Sequence, residues 1–241
     1  MIPKVIHYCW FGEKEKSQDV INYIHKWKRF NPDYEIKEWN ESNFNVKINE
    51  YVKEAYNAHK WAFVSDYARL YALYNYGGIY LDTDVEVVKS FDSVLNNIAF
   101  IGVESKYSLC TATLGAEKNS TFIKDIIESY NGEHFIVNGK VNKKPNSQRV
   151  YELLTNKYGY EYVEDTIQNL DKCRVYPVEY FSPINCYTYK EKITDNTISI
   201  HRYAGTWKDK KEKSKDKLIA FFTRVIGEST RNCIKKKLKR R

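Results

Sequence analysis

The chain has 241 residues, 42% of them apolar, and five widely spaced cysteines. This length supplies one sizeable core, and the odd number of cysteines without a CxxC pair indicates neither a disulfide framework nor a zinc site, which favours a reducing compartment. The sequence has no apolar run long enough to cross a membrane and no amino-terminal signal segment. It therefore predicts a cytoplasmic protein that is neither exported nor membrane-spanning.

The first sixty residues predict a β-α-β unit. Residues 2–11 are rich in apolar side chains and predict a strand, and the helical spacing of apolar residues over 17–30 predicts a helix. After an Asn-Pro-Asp turn, the alternating polarity of 34–39 predicts a second strand. Such a unit requires parallel strands, so we expect an α/β fold with a mostly parallel sheet flanked by helices. Residues 49–59 predict a further helix.

The stretch from Trp61 to Glu86 is almost entirely apolar and aromatic, which predicts that it is buried. Residues 62–76 lack Pro and Gly and predict a helix, which the following Gly-Gly pair would end. Asp66 and Arg69 lie on one face of that helix, where they can pair with each other or both point at a polar ligand.

A pair of carboxylates follows the short apolar strand predicted at 79–81. Asp82 and Asp84 are two residues apart, so on an extended chain their side chains point the same way. Ligands of open α/β sheets bind at this edge, and Mg²⁺ and Mn²⁺ prefer oxygen ligands from carboxylates and substrate phosphates. An isolated Asp-x-Asp is more often a turn or a solvated loop, but its position after a buried strand predicts a divalent-cation site.

The second half of the chain predicts alternating strands and helices. Residues 131–147 lack a strong period and predict a variable loop or a hairpin. Pro177 and Pro183 restrict the segment around them to an edge strand and a loop. The other predicted elements are strands at 85–88, 98–103, 111–114 and 197–201, and helices at 121–130 and 148–158.

The basic excess lies in the carboxyl-terminal tail. Residues 208–241 contain 14 Lys and Arg against 4 Asp and Glu, whereas residues 1–207 carry a net charge of −2. Leu218, Phe222 and Val225 lie at helical spacing in a lysine-rich context, which predicts a basic amphipathic helix that either binds an anionic membrane surface or packs on the preceding domain. Nucleic acid is disfavoured because the main domain has no basic surface excess.

The array of an SDxxR helix, a Gly-Gly stop, an apolar strand and Asp-x-Asp resembles the sugar-binding region of glycosyltransferase family 32. This family includes bacterial capsule and exopolysaccharide transferases and Och1-like mannosyltransferases, and it is more distantly similar to the glucosylating domains of clostridial toxins. The resemblance implies a GT-A fold for residues 1–207, followed by the tail 208–241. It also implies metal-dependent, retaining transfer of a sugar from a UDP-sugar or a GDP-sugar, with UDP favoured.

The resemblance further implies a glycan acceptor carried on a lipid at the cytoplasmic leaflet, which together with the basic tail predicts an enzyme held peripherally at the inner face of the cell membrane. We expect residues 131–147 to contact that acceptor. Trp10 would stack on the nucleotide base beside Cys9, and Trp207 would cover the diphosphate. The catalytic residues implied are Asp66, Arg69, Asp82 and Asp84. The donor-binding residues implied are Cys9, Trp10, Ser65, Asp66, Arg69, Tyr80, Asp82 and Trp207. The ligands implied for Mn²⁺ or Mg²⁺ are Asp82, Asp84 and His201, with contact to a phosphate as the alternative role of His201.

Two other classes of function stay open at this point. The same motifs could serve a metal-dependent nucleotide-sugar hydrolase or phosphotransferase, although the sequence has neither a Walker lysine loop nor a cluster of metal-ligating histidines. A carbohydrate-binding module is the third reading, but binding alone does not require a buried Asp and Arg beside paired carboxylates.

Overall fold

The computed structural model describes residues 1–205 except 143, 186, 187 and 189. Trp207, the predicted tail 208–241, Cys186 and Cys233 lie outside the described residues, so the division into a domain and a tail stays a prediction. In the described part, the cysteines are free thiols and all are buried: Cys9, Cys110 and Cys173. No helix in that part combines the length and the apolar character needed to cross a membrane.

A seven-stranded mixed sheet forms the centre of the fold. The described residues form eleven strands, seven of which belong to this sheet: β1 (Val5–Cys9), β2 (Glu35–Trp39), β3 (Gly78–Leu81), β4 (Val85–Val87), β5 (Ala99–Ser105), β6 (Ser108–Ala116), β7 (Ile136–Val137), β8 (Lys140–Val141), β9 (Gln168–Asn169), β10 (Arg174–Tyr176) and β11 (Ser199–His201). The order in the sheet is β2-β1-β3-β6-β5-β10-β9, and all its strands except β6 and β9 run in one direction. The predicted α/β fold with a mostly parallel sheet is confirmed.

Helices cover both faces of this sheet, and the sheet separates the apolar core into two clusters. They are α1 (Gln18–Phe30), α2 (Glu50–Asn57), α3 (Trp61–Tyr76), α4 (Thr121–Glu128), α5 (Asn146–Tyr158) and α6 (Val178–Phe181). One apolar cluster contains buried residues of α2 to α5, and the other contains Trp27 of α1. Because side chains alternate along a strand, Cys9 enters the first cluster and Tyr8 the second.

Local chemistry explains where these elements begin and end. The Asn49 side chain accepts the backbone N–H of Val52 (2.8 Å) and caps the start of α2. Gly77 ends α3 at φ 66°, and a Cβ there would lie 2.7 Å from the backbone nitrogen of Lys118, so a larger residue would force a shift. The helix predicted at 62–76 and the buried strand that follows it are confirmed.

The prediction of an edge strand before Pro177 was wrong. β10 is not an edge strand, because it pairs with β5 on one side and β9 on the other. Pro177 lies after the last residue of β10 and just before α6. Its missing N–H therefore interrupts neither the pairing of β10 nor a hydrogen bond of the helix. The last predicted strand exists as β11, but it pairs with β4 in a separate two-stranded sheet. Residues 131–147 contain the hairpin of β7 and β8.

A fully buried histidine joins β1, β2 and the end of α3. His7 is 0% exposed. Its Nδ1 accepts the indole N–H of Trp39 (3.1 Å), so its Nε2–H donates to the carbonyl of Gly77 (2.7 Å). Burial lowers the pKa of His7 to about 4.

His7 should make the fold less stable in mild acid. In the unfolded chain the His7 side chain binds a proton near pH 6.5, whereas in the folded protein it does so only near pH 4. The contribution of neutral His7 to folding stability is therefore complete above about pH 6.5 and is lost as the pH falls toward 4. The pKa difference corresponds to about 3 kcal/mol. Between pH 6.5 and pH 4, we expect the parent's free energy of unfolding, measured with urea, to fall by about 3 kcal/mol more than that of His7→Gln. His25→Gln, at an exposed position, should keep the parent's pH dependence, and the same dependence in His7→Gln would contradict the assignment.

Candidate active site

A buried arginine organises the carboxyl edge of the central strands. Arg69 is 4% exposed. One Nη of its guanidinium lies 2.9 Å from a carboxylate oxygen of Asp66 and 3.3 Å from one of Asp82. The other Nη donates to the carbonyl of Thr111 (2.7 Å), and Nε donates to the carbonyl of Ser65 (3.2 Å). The guanidinium therefore joins α3 to the end of β3 and to β6.

The charges in this group are set by burial and by each other. Burial alone would lower the pKa of Arg69, but the neighbouring Asp82, Tyr80 and Asp66 outweigh it and raise that pKa, so the guanidinium stays charged. Burial raises the pKa of Asp66 to about 6 in spite of Arg69. Asp66 is therefore a carboxyl group that changes protonation close to neutral pH.

Tyr80 and Cys9 complete this side of the site. The hydroxyl of Tyr80 donates to Asp82 (2.9 Å), and the guanidinium of Arg69 lies 4.6 Å from the centre of the Tyr80 ring. Cys9, at the end of the neighbouring strand β1, is buried, and this burial raises the pKa of its thiol to about 12. A thiol with that pKa is a packing or contact group and not an activated nucleophile.

The two carboxylates of the Asp-x-Asp motif meet a histidine from the far end of the chain. In the described part of the chain, Asp82, Asp84 and His201 form the one group of three or more acidic, His or Cys side chains whose ligand atoms all lie within 4.8 Å of one another. Nε2 of His201 lies 3.4 Å from Asp84. The pairing of β11 with β4 places His201 opposite Val85, next to Asp84 in sequence. The structure thus brings together the three predicted metal ligands.

The donor set suits a hard or borderline divalent cation. Two carboxylates and one imidazole match the ligands that Mn²⁺ and Mg²⁺ sites use, with room in the shell for phosphate oxygens. Burial would raise the pKa of Asp84, but His201 and the backbone N–H of Ala204, which donates to Asp84 (2.9 Å), hold it below its ordinary value. Asp84 therefore remains ionised, as a cation ligand needs to be.

The sequence analysis missed a further acidic residue beside the histidine. Glu104 lies at the end of β5, with a carboxylate oxygen 3.6 Å from Nδ1 of His201. That nitrogen is buried and has no hydrogen-bond partner, and the second oxygen of Glu104 accepts from Ser108 (2.7 Å). Burial alone would lower the pKa of His201, but Asp84 and Glu104 raise it to about 10. β5 and β3 run in the same direction, so their carboxyl ends lie at the same edge of the sheet. The one sequence signal that pointed to Glu104 was therefore its position at the end of a predicted strand, at the edge where ligands bind.

Glu104 should orient His201 for metal binding. Histidines that ligate metals usually donate their other N–H to a carboxylate or carbonyl, and loss of that partner typically costs about 10-fold to 100-fold in metal affinity. We expect Glu104→Ala to weaken Mn²⁺ binding about tenfold in isothermal titration calorimetry, and Glu104→Gln to weaken it less. Glu86→Gln is the matched control, because Glu86 pairs with Lys26 and Arg202. Equal Mn²⁺ affinity in Glu104→Ala and the control would exclude the role.

Trp10 and Trp207 are the two tryptophans predicted to contact the nucleotide. Trp10 lines a groove of about 330 Å³ together with Lys14, Lys16 and Glu38. Its indole N–H donates to the carbonyl of Lys14 (2.5 Å). Trp207 lies outside the described residues. The roles of both tryptophans in binding the nucleotide stay predictions.

Residues 17–101 match the family described as "Glycosyltransferase sugar-binding region containing DXD motif". The match includes α3 with Ser65, Asp66 and Arg69, and the acid pair Asp82 and Asp84. The resemblance predicted from the sequence is confirmed for this region.

Two curated relatives illustrate the similarity. Over 136 residues, the chain is 26% identical to inositol phosphoceramide mannosyltransferase 3 of Schizosaccharomyces pombe, covering 53% of this chain and 37% of that protein. Over 83 residues, it is 36% identical to lactosylceramide 4-alpha-galactosyltransferase of Rattus norvegicus, covering 31% of this chain and 22% of that protein. The matched regions thus span less than half the length of these relatives.

Two solved structures of glycosyltransferases superpose on part or most of this chain. The PaToxG glycosyltransferase superposes with a TM-score of 0.49 at 23% identity, covering 64% of this chain and 70% of that one. The galactosyltransferase LgtC superposes with a TM-score of 0.44 at 14% identity, covering 95% of this chain and 99% of that one.

Proposed function

Because residues 17–101 match the model of glycosyltransferase sugar-binding regions that contain a DXD motif, we propose that this chain transfers a sugar from a nucleotide-sugar donor to a glycan acceptor. The observation that carries the proposal is the juxtaposition of two groups. A cluster of Asp82, Asp84 and His201 lies beside Arg69, which is buried and paired with Asp66. A UDP-sugar is the favoured donor, and a GDP-sugar is the alternative.

A bound Mn²⁺ or Mg²⁺ would supply Lewis-acid stabilisation of the negative charge on the leaving diphosphate. The residues that would hold it are Asp82, Asp84 and His201. Arg69 positions Asp82 through its ion pair, and Tyr80 donates a hydrogen bond to the same carboxylate. These contacts fix the carboxylate in the orientation it needs before any ligand arrives, which reduces the free-energy cost of organising the site.

Asp66 and Ser65 are proposed to contact the ribose and the transferred sugar. Asp66 is held by Arg69 and changes protonation near neutral pH. A carboxylate of this kind accepts hydrogen bonds from sugar hydroxyl groups. Cys9, at the same sheet edge, would border the nucleotide, and Trp10 would offer its ring to the base from the adjacent groove.

Transfer is proposed to retain the anomeric configuration. Each carboxylate at the site already has a partner. Asp66 and Asp82 form ion pairs with Arg69, and Asp84 and Glu104 accept hydrogen bonds from Ala204 and Ser108. None of them stands out as a nucleophile, which favours front-face transfer, in which the leaving phosphate takes the proton of the acceptor hydroxyl.

The acceptor is proposed to be a glycan on a lipid carrier, in capsular or exopolysaccharide synthesis at the cytoplasmic face of the membrane. The two curated relatives are named for transfer to ceramide-based lipids. The sequence of residues 208–241, with its 14 basic residues, supports attachment to an anionic surface.

A product assay with a panel of UDP-sugars and GDP-sugars tests the proposal. A transferase forms a glycosylated product only when acceptor is added, a hydrolase releases free sugar at the same rate without it, and a binding module consumes no donor. A thermal-shift panel with Mn²⁺ selects the donor first, because a ligand at 100 times its Kd stabilises the fold by about 2.7 kcal/mol. Donor consumption that is independent of acceptor would contradict the transferase assignment.

A further inference from the structure

A small hairpin stands apart from the main sheet. β7 and β8 pair only with each other among the described strands, with Ile136 opposite Val141 and Val137 opposite Lys140. Both turn residues have positive φ, 52° at Asn138 and 73° at Gly139. Asn-Gly is the preferred sequence for the two-residue turn with this geometry, so the hairpin is locally encoded.

This hairpin exposes branched apolar side chains on both of its faces. Ile136 is 42% exposed, Val137 48% and Val141 37%. Other large apolar residues exposed in the described part, such as Val163 and Ile193, lie singly along the chain. Scattered exposed apolar residues need no explanation, whereas a group of three on one projecting element indicates a contact surface.

The base of the hairpin is rigidly held. Phe135 is fully buried, with its ring 5.7 Å from that of Tyr51 and 4.9 Å from that of Phe63. One carboxylate oxygen of Glu54 accepts the backbone N–H groups of Phe135 (2.8 Å) and Ile136 (2.9 Å). The apolar tip is therefore presented in a fixed direction and does not need ordering when it binds.

The anchoring places the hairpin beside the site. Phe63 lies one turn of α3 before Asp66, a rise of about 5 Å. The segment after the hairpin returns to the same helix, where the side-chain amide of Asn146 donates to the backbone carbonyl of Asp66 (3.4 Å). Both ends of the hairpin segment thus pack on the half of α3 that carries the proposed sugar-binding residues.

The charge of the segment identifies the surface it fits. Residues 131–147 contain three lysines against one glutamate, and Lys140 lies exposed within β8. Branched aliphatic side chains with the exposed Lys140 beside them match the boundary between acyl chains and anionic headgroups. A strand of two residues, by contrast, offers too short an edge for stable pairing with another chain.

We propose that the hairpin of β7 and β8 inserts its tip into the surface of an anionic lipid bilayer and so holds the site at the lipid-linked acceptor. This inference rests on the proposed function only for the nature of the acceptor. The predicted tail combines lysines with apolar residues, so salt screens only the electrostatic part of its binding. At about 1 M salt the Debye length is about 3 Å, and under that condition the contribution of the hairpin is the difference in vesicle binding between the parent and a variant that lacks the apolar hairpin side chains.

The test compares two double variants of the full chain in co-sedimentation with vesicles of equal phosphatidylcholine and phosphatidylserine content. Ile136→Ser with Val137→Ser removes apolar surface from the hairpin without adding charge. Val163→Ser with Ile193→Ser is the matched control, at two exposed aliphatic positions outside the hairpin. We expect the hairpin variant to lose about tenfold in vesicle partitioning at high salt, which equals about 1.4 kcal/mol, and the control to bind like the parent.

The donor-dependent thermal shift, measured without vesicles, should be the same in both variants and the parent. If the parent shows this shift and the hairpin variant binds vesicles like the parent, the inference is overturned and the proposed function stays intact. Loss of a dimer in the hairpin variant, with vesicle partitioning unchanged, also overturns the inference and assigns the surface to a second copy of the chain. A parent without any donor-dependent shift counts against the proposed function and does not touch the vesicle result.

Discussion

We expect Asp84→Asn to lower sugar transfer at least about a hundredfold while the protein stays folded. The substitution keeps the shape of the side chain and removes the charge of a proposed metal ligand. Loss of electrostatic stabilisation aimed at the developing charge typically costs 10²-fold to 10³-fold in rate. Asp84 is held by His201 and by the backbone N–H of Ala204, and the asparagine oxygen can still accept from that N–H. The measurement is initial rate against Mn²⁺ concentration, with circular dichroism as the check on folding.

Asp33→Asn is the matched control for this experiment, since Asp33 is a carboxylate whose side chain is 60% exposed and pairs with Lys4. The control should keep the parent's rate and Mn²⁺ dependence. Full activity in Asp84→Asn, or parent activity that survives EDTA, would falsify the metal role.

The second large effect is expected at Arg69. Arg69→Ala leaves Asp66 and Asp82 without their shared charge partner, and breaking a buried ion pair typically costs about 3–5 kcal/mol of folding stability. Arg69→Lys keeps one positive charge, but a single ammonium cannot replace a planar group that contacts two carboxylates and two carbonyls. We therefore expect Arg69→Lys to fold and to bind the donor at least about tenfold more weakly. Urea unfolding and calorimetric titration with the donor measure the two effects.

Asp66→Ala tests the same pair from the other side, because it removes the carboxylate proposed to contact the sugar and leaves the guanidinium paired with Asp82. Arg29→Ala, at an exposed position on α1, should change neither stability nor donor affinity. If Arg69→Lys and Asp66→Ala both keep the parent's donor affinity, the ion pair serves the fold alone.

Much of the site could be predicted because its signals are local. The spacing of Asp66 and Arg69 determines that they share a helix face, and the structure pairs them at 2.9 Å. The Gly-Gly stop leads directly to a strand whose residues are all buried. A period of 3.6 residues in the helix and of 2 in the strand is enough to place these side chains from sequence.

The remaining features depend on contacts between distant parts of the chain. Glu104 faces His201 because β11 leaves the main sheet and pairs with β4, which no local pattern encodes. β6 enters the sheet antiparallel between β3 and β5, so the order of strands could not be read from a β-α-β unit. The prolines that predicted an edge strand lie outside β10, and the strand therefore pairs on both sides.

The most direct test of the central claim is calorimetric titration of the full chain with UDP in the presence of Mn²⁺ and again in the presence of EDTA. If Asp82, Asp84 and His201 hold the cation against the diphosphate, UDP affinity should fall at least about tenfold when the metal is removed. The same loss should appear with the metal present in Asp84→Asn. The account is contradicted if the parent binds UDP equally well with Mn²⁺ and with EDTA.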